Sequence, residues 1–468
     1  MKTLRYLAAN LFALVTLSIF SVSTLSAQTS TPSSLPPTVS ETVLANFSGA
    51  NGMDPADENL VQGLDGNLYG TTQYGGMGQC CGTIFKITPS GTLTTLHAFS
   101  GTDGSYLYAG LTLGVDGNFY GATYSGGTSS YGTIFKITPS GTLTTLHNFA
   151  GTDGAYPNGA LIQGTDGNFY GTTIGGATVP YGSVFKITPS GGLTTLHTFN
   201  FTDGAYPTAA LIQATDGDFY GTTSNGALNY GTVFKIRSSG TFTSLHSFNS
   251  TDGASPEDQL TQIGASFYGT TRLGGANGDG EVFRFNSAGL VVLHSFDVTD
   301  GSQPWGSLTH GSDGNLYGTA KFGGAYGGGT VFRVTPSGSL NTIYGFGASN
   351  TDGGGPVGGL VQHTSGIFFG TTIGGGSGFY GTLFSLDAGL RPFVGLLPGS
   401  GKVGSKVTIL GTNLTRVSKV TFNGIVASFT PVSSTYITAT VPTGATTGMV
   451  AVTTNSGTLK SNQPFRVR

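Results

Sequence analysis

Along most of the chain, apolar and polar residues alternate over short stretches, and Gly, Pro, Ser or Asp interrupts each one. This period of two is the pattern of half-buried β-strands bounded by turns. Between Gly151 and Phe199 four such stretches follow one another: 160–163 (ALIQ), 168–173 (NFYGTT), 183–188 (SVFKIT) and 193–199 (LTTLHTF). Thr-Asp-Gly joins the first pair and Thr-Pro-Ser-Gly the last. In both, Gly supplies a positive φ, and Pro presets a negative one in the second.

The same block recurs. The second-strand Tyr falls at Tyr69, Tyr120, Tyr170, Tyr220, Tyr268 and Tyr317, with Phe369 in the seventh slot, giving spacings of 51, 50, 50, 48, 49 and 52 residues. A fixed period near fifty is a repeat architecture, and four antiparallel strands per repeat make one propeller blade. A β-solenoid is the alternative, but its coils use fewer residues. The first repeat-like element, 41–47 (ETVLANF), matches a fourth strand; the last, 381–387 (GTLFSLD), matches a third. Residues 41–389 are therefore expected to form an all-β, seven-bladed β-propeller. Strand 41–47 would close it by completing the last blade, leaving no open β edge.

The flanks read differently. Lys2 and Arg5, an apolar stretch to about Val22 and small residues near Ser26 and Ala27 predict a signal peptide over 1–27 and no membrane span once it is removed. Residues 28–40 form a Ser/Thr/Pro linker. After Gly389 the period stops, and residues 391–468 alternate like the strands of a small β-sandwich.

Both halves carry familiar words. YGTT, GTVFKITPSG and LHxF at fixed offsets resemble the GloVer-type tandem repeat of exported bacterial proteins. Residues 391–468 resemble an IPT/TIG domain, an immunoglobulin-like module, through Pro398, Gly404, Val407, Ile409, Gly411, Asn413, Val420, Phe422, Asn423, Gly424, Val441, Pro442, Gly448, Val450 and Val452. The resemblance implies an extracytoplasmic protein, secreted, periplasmic or held at the cell surface, with no established activity. Many proteins with this repeat end in a surface anchor; no such segment is read up to Arg468.

Composition changes little. Gly is abundant (80 of 468) but sits at fixed offsets beside aromatic and β-branched residues. Charged residues make up 9% against a typical ~25%. The net charge of −3 gives no basic field for nucleic acid.

Candidate chemistry is sparse. His97, His147, His197, His246 and His294 share one repeat position, as expected of packing or hydrogen bonding rather than of a single active site. Two Asp sets (Asp103, Asp153, Asp203, Asp252, Asp300 and Asp352; Asp65, Asp116, Asp166, Asp216 and Asp313) occupy turns. No cofactor or metal is expected; the one dense acidic spot that could hold a metal is Asp54, Asp57 and Glu58. Cys80 and Cys81 are adjacent, and a vicinal disulfide or two free thiols are both open. The 399–406 stretch (GSGKVGSK) is not a phosphate loop, because Val403 follows Lys402.

The longer connections differ between copies and emerge on one face, where binding residues usually reside. One loop carries a recurring Pro, with Leu107 as the exception, followed by a residue that changes every time, including Tyr108, Asn158, Thr208, Glu257 and Trp305. The other carries Tyr131, Tyr181, Tyr230, Tyr326 and Tyr380. These residues are the candidate ligand face, with Trp305 foremost. The expected function is an exported, non-enzymatic binding or adhesion protein recognising an extracellular glycan or surface protein. The alternatives are a polysaccharide lyase or hydrolase, for which Glu257, Asp258, Asp279 and Glu281 are the scattered candidates, or a structural surface-layer component.

Overall fold

The third repeat shows how the alternation becomes structure. Ile162–Gln163, Phe169–Gly175, Ser183–Ile187 and Leu193–Thr198 form consecutive antiparallel strands of one sheet. The innermost strand is shorter than its alternation suggests. Ala155–Pro157 also pairs with Phe169–Gly175, placing Pro157 opposite Thr173 while Ile162 stands opposite Tyr170. Four residues, 158–161, thus bulge out against two on the partner strand. At the break, Leu161 and Phe185 crowd Gly171, where a Cβ would come 2.6 Å from the Phe185 ring. That close approach explains the Gly in every copy of the second strand.

The computed structural model describes residues 39–55, 59–76, 78, 80–176, 178 and 180–468. The expected signal peptide, nearly all of the linker, Asp57 and Glu58 lie outside them. The described part is all-β apart from short 3-10 turns, among them Leu414–Arg416. No helix among the described residues is long and apolar enough to cross a membrane.

Seven sheets arise from the repeats. The strand Ser40–Asn46 pairs antiparallel with Thr382–Asp387, from Ser40 opposite Asp387 to Asn46 opposite Thr382. The N-terminal strand therefore completes the sheet built by the last repeat, as its sequence pattern predicts.

Apolar clusters join each sheet to the next. Tyr170, Val184 and Phe199 of the third repeat pack on Leu211, Phe219 and Phe234 of the fourth. Phe369 and Leu383 of the seventh repeat pack with Phe47, and with Leu60 and Phe85 of the first. Burying one such side chain contributes ~1.5–3 kcal/mol, so the packing between sheets is the main cohesive term.

The C-terminal module is a sandwich. One sheet orders Gly395–Leu397, Lys406–Leu410, Tyr436–Thr440 and Phe429–Pro431; the other orders Ile425–Ala427, Val417–Phe422, Val450–Thr454 and Gly457–Lys460. Val407, Ile409 and Ile437 meet Val420, Phe422 and Val452 between them. The module docks on the side of the tight turns. Thr435 Oγ1 donates to Leu64 O at 2.6 Å, and the guanidiniums of Arg466 and Arg468 donate to Ala214 O and Thr165 O at 3.4 and 3.3 Å. The longer loops lie at the other end of the strands.

Candidate ligand-binding face

Much of the repeated polar chemistry belongs to the scaffold. The second-strand Tyr hydroxyl donates to the turn Asp of its own repeat: Tyr69 to Asp65 at 2.9 Å, Tyr120 to Asp116 at 2.9 Å, Tyr170 to Asp166 at 2.8 Å, Tyr220 to Asp216 at 2.8 Å and Tyr317 to Asp313 at 3.0 Å. Burial alone would raise the Asp116, Asp166 and Asp216 carboxyls, but these bonds, with others from residues 118, 168 and 218 and from Lys235, hold them below their ordinary range. The repeated His residues pair with the second Asp set, His97 with Asp103 and His147 with Asp153 at 2.8 Å, His197 with Asp203 and His246 with Asp252 at 3.0 Å, and His294 with Asp300 at 2.7 Å.

A glutamine at the end of the innermost strand joins neighbouring repeats. Gln163 Oε1 accepts the Val115 N–H at 2.9 Å, Gln213 that of Thr165 at 2.9 Å and Gln62 that of Thr364 at 3.0 Å, the last joining the first repeat to the seventh.

The loop face is anchored by backbone. The residue before the recurring Pro position donates its N–H to the preceding repeat: Tyr106 to Cys81 O at 3.0 Å, Tyr156 to Tyr131 O, Tyr206 to Tyr181 O and Ser255 to Tyr230 O at 2.9 Å, Gln303 to Asp279 O at 2.8 Å and Asp54 to Tyr380 O at 3.3 Å. These donors are left-handed, with φ of 60°, 59°, 56°, 53°, 53° and 48° in that order. A residue before Pro normally stays extended, and such conformations cost ~1–3 kcal/mol each. The strain sets the direction of the next residues, which are those of the inner-strand bulge, so Asn158, Thr208, Glu257 and Trp305 occupy equivalent, fixed positions.

What those positions hold differs around the array. Tyr108 packs edge-on against Tyr124 at 5.0 Å. Asn158 and Thr208 are half-buried, and Thr208 Oγ1 is a buried atom with no hydrogen-bond partner among the described residues. Trp305 is held differently from the expectation of an open aromatic surface. The Arg272 guanidinium and the Lys321 ammonium each lie 4.2 Å from its ring centre. Arg272 also donates to Glu257 Oε1 at 3.4 Å. Burial pushes the Glu257 carboxyl up, with Arg272 and Lys321 opposing it. Trp305 is thus the organiser of a charged cluster spanning the fifth and sixth repeats.

The second loop divides its tyrosines. Tyr131 packs on Tyr156 at 5.9 Å, and Tyr181 on Phe201 at 5.3 Å, both half-buried between repeats. Tyr230, Tyr326 and Tyr380 are exposed, Tyr326 at 61%. Phe379, in the same loop as Tyr380, and Phe322, the last residue of the strand Leu316–Phe322, are also exposed, Phe379 at 68%. Single exposed rings are ordinary on a protein surface, and it is a contiguous patch of them that marks a contact surface. These two Phe positions and the two cations were not read from the sequence. Aligning the seven copies at the fourth residue after the second-strand Tyr position (Gln73, Tyr124, Ile174, Ser224, Arg272, Lys321 and Ile373) isolates the cations at once.

The four carboxyls considered for catalysis have separate partners. Glu257 pairs with Arg272, Asp258 accepts from Thr270 at 2.7 Å, Asp279 from Ser302 at 2.6 Å and Glu281 from Ser295 at 2.8 Å. No group of three or more His, Cys, Asp or Glu among the described residues is placed to hold a metal ion. Asp54 is half-buried, and burial raises its carboxyl. Cys80 and Cys81 are joined as a vicinal disulfide.

The model of the Gloeobacter/Verrucomicrobia repeat matches residues 33–177 and 157–384, and that of the IPT/TIG domain matches residues 394–467. No curated protein matches the chain. Similar solved structures include a fungal alcohol oxidase of the AA5 family in complex with copper, at 12% identity over 92% of this chain and 98% of that one, TM-score 0.51. A gluconolactonase from Xanthomonas campestris shares 13% identity over 75% of this chain and 90% of its own, TM-score 0.41. An auxiliary nutrient binding protein from Bacteroides ovatus ATCC 8483 shares 10% over 75% and 76%, TM-score 0.41. The oxidase likeness is one of fold, and the two weaker superpositions carry nothing further.

Proposed function

For this chain, which belongs to the Gloeobacter/Verrucomicrobia repeat family and carries an IPT/TIG domain, we propose an exported, non-enzymatic binding protein that recognises an extracellular glycan. Residues 1–27 are the export signal and 28–40 a linker. Residues 41–389 form a seven-bladed propeller closed by the N-terminal strand, and 391–468 are an Ig-like spacer. The closing pairing of Ser40–Asn46 with Thr382–Asp387 and the packing of the seventh repeat on the first support the ring.

The observation that carries the binding reading is the contrast between the two ends of the strands. The turns repeat nearly unchanged and are spent on Tyr–Asp bonds and on the Ig-like module. The loops differ in every repeat and leave Tyr326, Tyr380 and Phe379 in solvent, beside Phe322 at a strand end. Exposed rings with few charges suit the faces of sugar rings. Trp305 acts through the cations it holds, so an acidic substituent on that glycan is favoured at the fifth and sixth repeats. A glycan array run beside a polysaccharide-hydrolysis screen tests this. Binding without turnover is expected, turnover favours a lyase or hydrolase, and silence in both favours a surface-layer component.

A further inference from the structure

A cavity of about 440 Å³ lies where the innermost strands of the repeats face the Ig-like module. Val61, Leu113 and Ile162 line it from the repeats, and Leu396, Leu397 and Leu410 from the module. No Asp, Glu, Lys, Arg or His lines it. A neighbouring chamber of about 380 Å³ shares Thr112, Leu113, Ile162 and Leu397 with it, and Arg466 lines that outer chamber.

Most of the lining amides are already engaged. Gln62 exchanges bonds with Thr364 at 3.0 Å, and Gln362 with Ser312 at 2.8 and 3.0 Å. Asn59 pairs with Ser307 at 2.9 Å, Gln259 donates to Leu211 O at 2.7 Å, and Thr112 donates to Leu161 O. An internal water needs two to four polar partners to be held well. The lining mixes apolar side chains with amides and hydroxyls, most of them bonded to one another, and carries no charge, so it suits an uncharged ligand that presents an apolar body and a polar end. The chamber's volume and its place between two modules are those of ordinary small-molecule sites.

We infer that this chamber is a binding site for an uncharged small molecule with an apolar body and a hydrogen-bonding end, which the amide of Asn462 receives. A charged ligand would lose its hydration against a lining with no counter-charge, so the site rejects it. Because both modules line the chamber, the ligand fastens one to the other and raises the thermal stability of the full chain. The site is separate from the loop face and does not rest on glycan binding there.

The test uses N-phenyl-1-naphthylamine, a neutral apolar fluorophore, titrated into the full chain. Saturable, blue-shifted emission with one probe per chain and a raised melting temperature are expected. Ile162→Trp and Leu396→Trp, which fill the chamber, should each weaken probe binding at least tenfold while leaving polysaccharide binding unchanged. No saturable binding by the wild type would overturn the inference, as would unchanged affinity in a chamber-filling variant with wild-type circular dichroism. If both variants misfold, crystals of the wild type soaked in the probe decide. Density in the chamber supports the site, and density only elsewhere refutes it.

Discussion

Asn59 of the first repeat donates its Nδ2–H to Ser307 Oγ of the sixth at 2.9 Å, reaching past Gly359 of the seventh. A Cβ on Gly359 would lie 2.1 Å from Asn59 Oδ1 and 2.6 Å from the Ser307 carbonyl oxygen. Three repeats thus meet at one point. Gly359→Ala should destabilise the chain by about 1–3 kcal/mol, the usual cost of overpacking. Urea unfolding measures it; an unchanged midpoint would mean that the three repeats do not meet so closely.

The Tyr170 hydroxyl gives a second, smaller prediction. Its ring is fully buried while its oxygen reaches Asp166 at 2.8 Å. Tyr170→Phe should cost about 0.5–1.5 kcal/mol, the net value of one hydrogen bond. The seventh repeat already carries Phe369 with Ser365 in place of the Asp, so the ring packs without its oxygen. In the double variant with Asp166→Ser the two losses should not add. Additive losses in denaturant midpoints would deny the coupling.

Glu41 on the closing strand makes stability depend on pH. Burial, with a smaller push from the charge of Asp352, raises its pKa from 4.5 to about 7, against a lowering bond from Tyr344. The Tyr344 hydroxyl donates to Oε2 at 3.3 Å, and Oε1 is a buried atom without a partner among the described residues. The folded chain therefore keeps this proton where the unfolded chain has lost it. The stabilisation is complete below about 4.5 and disappears as pH rises through about 7. Glu41→Gln should flatten this slope and raise the urea midpoint at pH 8 relative to wild type. An unaltered slope between pH 5 and pH 8 would remove Glu41 from the account.

The repeat period, the four strands and the partner of strand 41–47 were legible because each copy spells the same alternation, and the two ends spell complementary parts of it. The broken innermost strand was not, because ALIQ alternates as a continuous strand does, and the break comes from left-handed residues such as Tyr156. The His and Asp sets were visible separately, and only the fold shows that His147 and Asp153 are one pair. On the loop face, the position after Pro was singled out in the sequence by its variation among the copies. Phe379 escaped because it belongs to no repeated word, and the role of Trp305 changed because Arg272 and Lys321 reach it from neighbouring strands.

The charged cluster should discriminate among glycans. Arg272→Ala with Lys321→Ala removes both cations beside Trp305 and leaves Glu257 as a buried carboxyl without its counter-charges. Binding to uronate-bearing polysaccharide should fall several-fold more than binding to a neutral one, and the difference should shrink as salt is raised. Equal losses on both polymers in isothermal titration would assign the cluster a structural role only.

The most direct measurement is depletion of the full chain from solution by insoluble cell-wall polysaccharide, comparing wild type, Tyr326→Ala with Phe379→Ala on the loop side, and Ser337→Ala on the turn side. A loop face that binds predicts at least a tenfold loss for the loop variant and none for the turn variant, with all three melting alike. Equal retention of wild type and loop variant on the polymer, or no retention of the wild type at all, would contradict it.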